Sequence, residues 1–509
     1  MTKPPFSPRT SLSRREATGL ISAFVAALTA PGAALAAPAG RFGPATPFSW
    51  DRLVARAQAN ARRPYTERPV SKLAVADFDT HVRLTYGQAE ELPGHVRLFP
   101  TRVGIAPQAV GISIVENGQA RTLTDMTGLF GGGQDGEAAG FRVMWADGHA
   151  DWLAFLGGSY FRAAGSHDQF GLSARGISVN TGAPGPEEFP EFTDFWFEGK
   201  GEDGLIVHAL LDGPSLTGAY RIETKRTPDA GIQDVTATLF LRRDIERLGL
   251  APMTSMYLYG EGDRRADWRP EVHDSDGLAI VTGTGEHIWH PLINPEQEHK
   301  PPVTNAMRAD HVKGFGLLQR DQDFDHYQDD MSYYHRRPSL WVEPKGDWGP
   351  GAVALYSFAS ISETVDNVCA YWLSDTPAKA GQRRDFAYRL TWSSQEPAHG
   401  NNALCTAFRV GPGGVPGQDE IKGVTRYVFD FEGDILAGLT RDSHVEAQTD
   451  IPAKAVLLMA VGPVGGQKNI WRVTMDVRHA DLPHPEFRLF LKRGGAALSE
   501  TVIATAKLP

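Results

Sequence analysis

Cysteine is nearly absent: Cys369 and Cys405 are the only two in 509 residues. So few exclude a disulfide-stapled scaffold and a four-cysteine metal site. The pair is either one bridge in an oxidising compartment or two small buried thiols. Long apolar runs are lacking as well. Nothing past the first 28 residues approaches the roughly 20 that a membrane-crossing helix needs, so no membrane insertion is expected. Basic charge is in deficit, with 51 Lys and Arg against 61 Asp and Glu. A chain this acidic repels phosphate, and neither nucleic acid nor anionic lipid is expected as a partner. No P-loop, dinucleotide fingerprint or G-x-S-x-G elbow stands between a strand and a helix. Nucleotide-driven chemistry is therefore not expected, and no cofactor is. His273, His287, His290, His326 and His335 share one region with Asp274, yet none shows the helical H-x-x-x-H spacing of a zinc enzyme, so no metal is expected either.

What is present begins with an export leader. Ser13, Arg14 and Arg15 precede an apolar stretch over 19–28, and Ala34, Leu35 and Ala36 follow as an A-x-A cleavage site. The order is that of a twin-arginine leader, although Glu16, Ala17 and Thr18 follow the arginines where an apolar pair is usual, which keeps general export open. Both routes end outside the cytoplasm, and periplasmic placement is expected. Cleavage after residue 36 removes a net +3 and leaves the formal charge of −10 at about −13.

Period-two alternation dominates the regular stretches. Phe386, Tyr388, Leu390 and Trp392 alternate with Ala387, Arg389 and Thr391; Val235, Ala237, Leu239 and Leu241 behave alike, as do Trp471, Val473, Met475 and Val477. Such patterns are half-buried antiparallel strands. Helix signals are few, the best being residues 49–62 with Ser49 as N-cap and Leu53, Val54 and Ala57 on one face. The turn-rich segment 393–402 reads as a linker. An all-β chain follows: a leader over 1–36, a large β-sandwich over 37–392, and a small immunoglobulin-like β-sandwich over 403–509.

Polar and aromatic residues crowd between 254 and 348 in three runs, TSMYLYGE (254–261), RPEVHDSDGL (269–278) and YQDDMSYYHRRPSLWVEPKGDWG (327–349). Sugar recognition needs these types, because ring C–H faces pack on aromatics while hydroxyls exchange hydrogen bonds with Asp, Glu, Arg and His. Candidate substrate contacts are Tyr257, Tyr259, His273, Trp289 and Tyr334 together with Arg336, Arg337, Trp341, Glu343, Lys345 and Trp348. The alternative for each is an ion pair or a core aromatic.

These runs, with GFGLLQRDQDF (314–324) and DFWFEG (194–199), resemble the periplasmic glucan biosynthesis family of proteins G and D, and the leader is similar to that of the protein D branch. The resemblance implies a mutarotase-like β-sandwich joined to an immunoglobulin-like domain and a role in making osmoregulated periplasmic glucans. It implies a β-1,2-linked glucan partner, inner-membrane glucan synthesis machinery as a further one, and an inverting glycoside hydrolase or transglycosylase. Inversion takes two carboxyl groups, a proton donor and a water-activating base, roughly 6.5 to 9.5 Å apart. Asp329 and Asp330 are the candidate acids. Asp274 and Asp276 are the candidate bases, with Asp244 and Glu261 as further options. Counted back without gaps from Arg337 and Pro338, the last acidic position of the family pattern falls on Met331. That departure favours the alternative of a non-catalytic glucan-binding factor.

Overall fold

Side-chain alternation sets the architecture. Phe386, Tyr388, Leu390 and Trp392 are buried on the strand Arg383–Ser393 while Arg389 between them is exposed; Trp471, Val473, Met475 and Val477 are buried on Ile470–Arg478. The structure is a computed structural model that describes residues 40–506, apart from 149, 201–203, 263–264, 296–300, 397–399, 415–416 and 418–420. The expected leader and part of the expected linker, 397–399, lie outside the described residues.

The chain is all-β. Among the described residues the longest sheet has 16 strands and a second has 10. The centre of the first is an antiparallel run through Leu216–Arg226, Ala230–Leu241, Arg383–Ser393, Ser339–Pro344, Gly314–Leu318 and Gly277–Val281. The second includes Leu248–Ser255, Val368–Ser374 and Gly351–Ser357. Phe141, Phe155, Phe192, Tyr220, Trp372 and Trp392 fill one continuous core of this large sandwich.

The C-terminal strands continue the long sheet. His287–Pro291 pairs in parallel with Thr501–Thr505, which is followed outward by Glu486–Arg493 and Val445–Thr449. Facing these three is a four-stranded sheet of Leu404–Pro412, Val424–Glu432, Ile470–Arg478 and Val456–Pro463. Four strands over three is the layout of an immunoglobulin-like sandwich. Its core of Tyr427, Phe429, Trp471 and Phe487 also takes in Trp289 and Trp341 from the long sheet.

The expected helix forms as Trp50–Ala61. Ser49 accepts a hydrogen bond from Arg52 N at its start, and Leu53 and Ala57 are buried against the long sheet. A second helix, Phe78–Tyr86, starts on an Asp77 cap that the sequence reading passed over. Cys369 and Cys405 are free and buried, each in its own core, so the bridge reading does not hold. Among the described residues no helix is long and apolar enough to cross a membrane.

Candidate functional site

Strand register builds the site. Ser255 stands opposite Val368, so Tyr257 just beyond the one meets Asn367 just before the other. Asn367 is fully buried; its Oδ1 accepts from Tyr257 N at 2.9 Å, and its Nδ2 donates to Tyr257 O at 3.0 Å and to Phe358 O at 3.1 Å. Tyr257 pairs in turn with His273, and Asp274 N donates to Met256 O at 2.8 Å. Asp366 and Asp274, far apart in the chain, are thereby brought to one end of the sandwich. A third loop, 319–337, closes on them: Gln319 Nε2 donates to the carbonyls of His273 at 3.0 Å and Tyr334 at 3.1 Å. Arg269 then ties all three loops, reaching Asp329 at 3.2 Å and Glu363 at 2.7 Å, while the Tyr334 hydroxyl donates to Glu363 at 3.2 Å.

Two carboxyl groups here have opposite surroundings. Asp274 is buried and ion-paired with Arg337, whose guanidinium lies 4.1 Å over the Tyr334 ring. Asp366 keeps an exposed surface yet is crowded by protein around its carboxyl. That crowding raises its pKa above the ordinary aspartate value; the charge of Asp274 raises it further, and Arg175 and Arg162 only partly oppose the rise. His273 is fully buried between Gln319, at 2.9 Å, and Glu271, also at 2.9 Å. Burial pushes its pKa down, but the Glu271 carboxylate outweighs this and leaves it above the ordinary histidine value.

Asp329, expected as an acid, is a loop clamp. Its Oδ1 accepts from Met331 N at 2.9 Å and Ser332 N at 2.7 Å, and its Oδ2 takes Arg269. Burial would raise its pKa, but these donors reverse the shift and hold it below the ordinary range. Gln328 and Tyr333, on either side, adopt left-handed backbone with φ of 55° and 50°, which bends the loop around that carboxylate. Asp330 is on the exposed tip beside Met331.

Asp276 faces elsewhere, into a cavity of about 40 Å³ that it shares with Glu261, Glu271 and Asp321. Burial lifts Asp276 to about 6 and Glu261 to about 7. Both are already engaged: Asp276 accepts from the amides of Arg320 at 3.2 Å and Asp321 at 2.8 Å, and Glu261 from Phe408 N at 2.8 Å. A space that size holds a few waters and no sugar ring. Glu271, Asp321 and His326 have ligand atoms within 4.8 Å of one another, the arrangement a metal ion would need. His326 already bonds Asp321 at 2.5 Å and Glu271 bonds His273, so each has a protein partner.

Several expected candidates lie elsewhere, held by strand register or by partners away from the loops. Trp341 is fully buried in the C-terminal core, and Trp289 is there too, its ring covered by Arg320 at 3.7 Å. Glu343 is on the strand beside Arg389, and Lys345 pairs with Asp234 at 2.8 Å. Trp348 packs on Trp372 and Tyr388 inside the large sandwich. Asp244 is exposed and binds Lys379. Tyr257, His273, Tyr334 and Arg337 do come together; Tyr259 is buried beneath them, and Arg336 reaches out to His167 O. Asp366, Glu363 and Asn367 were missed because SETVDNV (362–368) lies outside the aromatic-rich stretch that drew attention.

The fold and the site define an all-β protein of two joined sandwiches whose loops gather several carboxylates at one end. The family described as periplasmic glucan biosynthesis protein, MdoG, matches residues 48–505. Glucans biosynthesis protein D 2 of Ralstonia nicotianae is 39% identical over 520 residues, covering 95% of each chain. Glucans biosynthesis protein D of Stenotrophomonas maltophilia is 39% identical over 486 residues, covering 91% of this chain and 90% of its own. This chain belongs to the periplasmic glucan biosynthesis protein family. A galactose mutarotase related enzyme from Lactobacillus acidophilus covers 56% of this chain and 98% of its own at 9% identity, with a TM-score of 0.23, too distant to carry an argument.

Proposed function

We propose that the protein acts in the periplasm on β-1,2-linked glucan, supplied by synthesis machinery in the inner membrane, as an inverting glycoside hydrolase or transglycosylase. Asp366 is the proton donor and Asp274 the base. The observation that carries this reading is the difference between the two: one carboxyl whose pKa is raised by crowding and by its neighbour's charge, the other buried against Arg337. An acid must reach its substrate, and Asp366 is exposed where Asp276 and Glu261 are only partly so. Trp268 and Tyr333, exposed on loops that Arg269 and Asp329 tie together, offer ring faces to the sugar.

The departure at Met331 does not touch this pair. Met331 is 88% exposed at the loop tip, and the donor proposed here is on a different loop.

The test is incubation with linear β-1,2-glucan, with product linkage and anomeric configuration followed by NMR. Cleavage or transfer with inversion is expected, and Asp366→Asn should lower the rate by about 10²- to 10⁴-fold while binding is retained. Unchanged chain length after prolonged incubation rejects the enzymatic reading. Full activity in Asp366→Asn rejects the assignment of the acid.

A further inference from the structure

Two of the charged contacts that join the sandwiches are built differently. In one, Glu396 and Glu500 each face both Arg320 and His287, so every carboxylate has its cations. The other is Glu261, at the end of the site segment 254–261. Its Oε2 accepts from Phe408 N at 2.8 Å and its Oε1 pairs with Arg409 at 3.1 Å, both on the first strand of the C-terminal sandwich, Leu404–Pro412.

This second contact has acidic surroundings. Glu261 borders the cavity of about 40 Å³ together with Glu271, Asp276 and Asp321, so four carboxyl groups face a space that holds a few waters. The cations beside it are committed elsewhere: the Arg320 guanidinium to Glu396 and Glu500, His273 to Glu271, and His326 to Asp321. Tyr327 and Cys405 also lie against it, and burial raises the pKa of both, which keeps them neutral. Arg409 is left to offset the charge of Glu261, and it is shared with Asp430 at 3.0 Å. Burial pushes the Glu261 carboxyl up to about 7; Glu271 and Asp321 add to the rise, and Arg409 and the Phe408 amide only partly oppose it. Neutral, this carboxyl still accepts from Phe408 N; ionised, it faces the charges of Glu271 and Asp321.

Opening the contact strands no charge. Arg409 keeps Asp430, which Arg472 also holds at 2.7 Å, and Glu261 gains water. The first contact stays closed meanwhile, because His287 and Arg320 overrule burial, hold Glu396 at about 2 and keep it charged.

We infer that Glu261 is a pH-operated latch between the two sandwiches: protonated, it holds the segment 254–261 on the strand Leu404–Pro412; ionised, it lets go, while Arg320 and its partners keep the sandwiches joined. Tyr257 lies in the same segment and is clamped by Asn367, so the latch sets how firmly the site loops are anchored. It works independently of any reaction at those loops.

The test is hydrogen–deuterium exchange of the full chain, read by mass spectrometry on peptides covering 254–262 and 404–412 and divided by the intrinsic exchange rate at each pH. The closed form binds the proton more tightly than the open one, so closure is lost as pH rises. With the carboxyl at about 7 when closed and near the ordinary 4.5 when open, closure weakens about tenfold between pH 6 and pH 8, and protection of both segments should fall by that factor. In Glu261→Gln, which keeps an acceptor and cannot ionise, protection should be equal at the two pH values. Arg409→Met removes the cation that opposes the rise and should move the midpoint of the loss to higher pH. Protection that does not change between pH 6 and pH 8 in the wild type, or a loss that persists in Glu261→Gln, overturns the inference. Should Glu261→Gln fail to fold, Arg409→Met decides, and a midpoint that stays in place or moves down overturns the latch.

Discussion

Asp329 gives one oxygen to the amides of its own loop and the other to Arg269, while crowding and the charge of Asp274 raise the pKa of Asp366. The same side-chain chemistry therefore meets opposite surroundings within one group of loops, and substitution should tell the proposed roles apart. Asn at position 329 keeps an acceptor for the amides of Met331 and Ser332 and loses only the charge facing Arg269. Asp329→Asn should accordingly retain turnover within about tenfold, against the 10²-fold or greater loss expected of an acid; a loss as large as that of Asp366→Asn would return Asp329 to the chemistry. The sign of the pH effect also follows. A donor must be protonated, so turnover should fall as pH rises through the elevated pKa of Asp366, and the alkaline limb of the pH–rate profile should vanish in Asp366→Asn. No residue-scale pattern could single out Asp366: one aspartate in SETVDNV reads as an ordinary loop residue until Val368 is seen opposite Ser255.

At the scale of elements the sequence was most informative. A strand with one face in a core must alternate, and a one-residue slip would turn Phe386, Tyr388, Leu390 and Trp392 to solvent together, so their pattern specified both strand and register. The helix Trp50–Ala61 was equally legible because its cap and its buried face are local features. Ser49→Ala removes the acceptor for Arg52 N and should cost about 1 kcal/mol in urea denaturation, with Ser49→Asp close to neutral. Loops gave less. The runs 254–261, 269–278 and 327–349 supply most of the loops gathered at that end of the sandwich, but which way each side chain points was set by clamps such as Asn367 and Arg269, whose partners lie on other loops.

Across the whole molecule the two sandwiches are locked by a buried charge group. Arg320 bonds Glu500 at 2.6 Å and Glu396 at 2.8 Å, and His287 bonds Glu396 at 2.6 Å. Glu396 falls in the segment read as a linker, yet its side chain is only 4% exposed. Burial alone would raise its pKa; His287 and Arg320 overrule this and hold it at about 2, below the ordinary 4.5. A depressed folded pKa contributes stability that is complete above the unfolded value and is lost as pH falls from about 4.5 toward 2, by about 3 kcal/mol at most. Glu396→Gln should therefore be less stable than wild type at pH 7, and the gap should narrow across that acid window when urea denaturation is followed at each pH. The sequence by itself determined the all-β class, the alternating strands, the capped helix and the family, since each is written in short-range pattern or in motifs read directly. Only the tertiary structure decided that Trp341 and Trp348 are interior, that Glu396 is pinned, and that Asp366 lies within reach of the charge of Asp274. These depend on pairings between residues far apart in the chain, where the position of a carboxyl or an indole is fixed by its partners across the sheets and not by its neighbours in sequence.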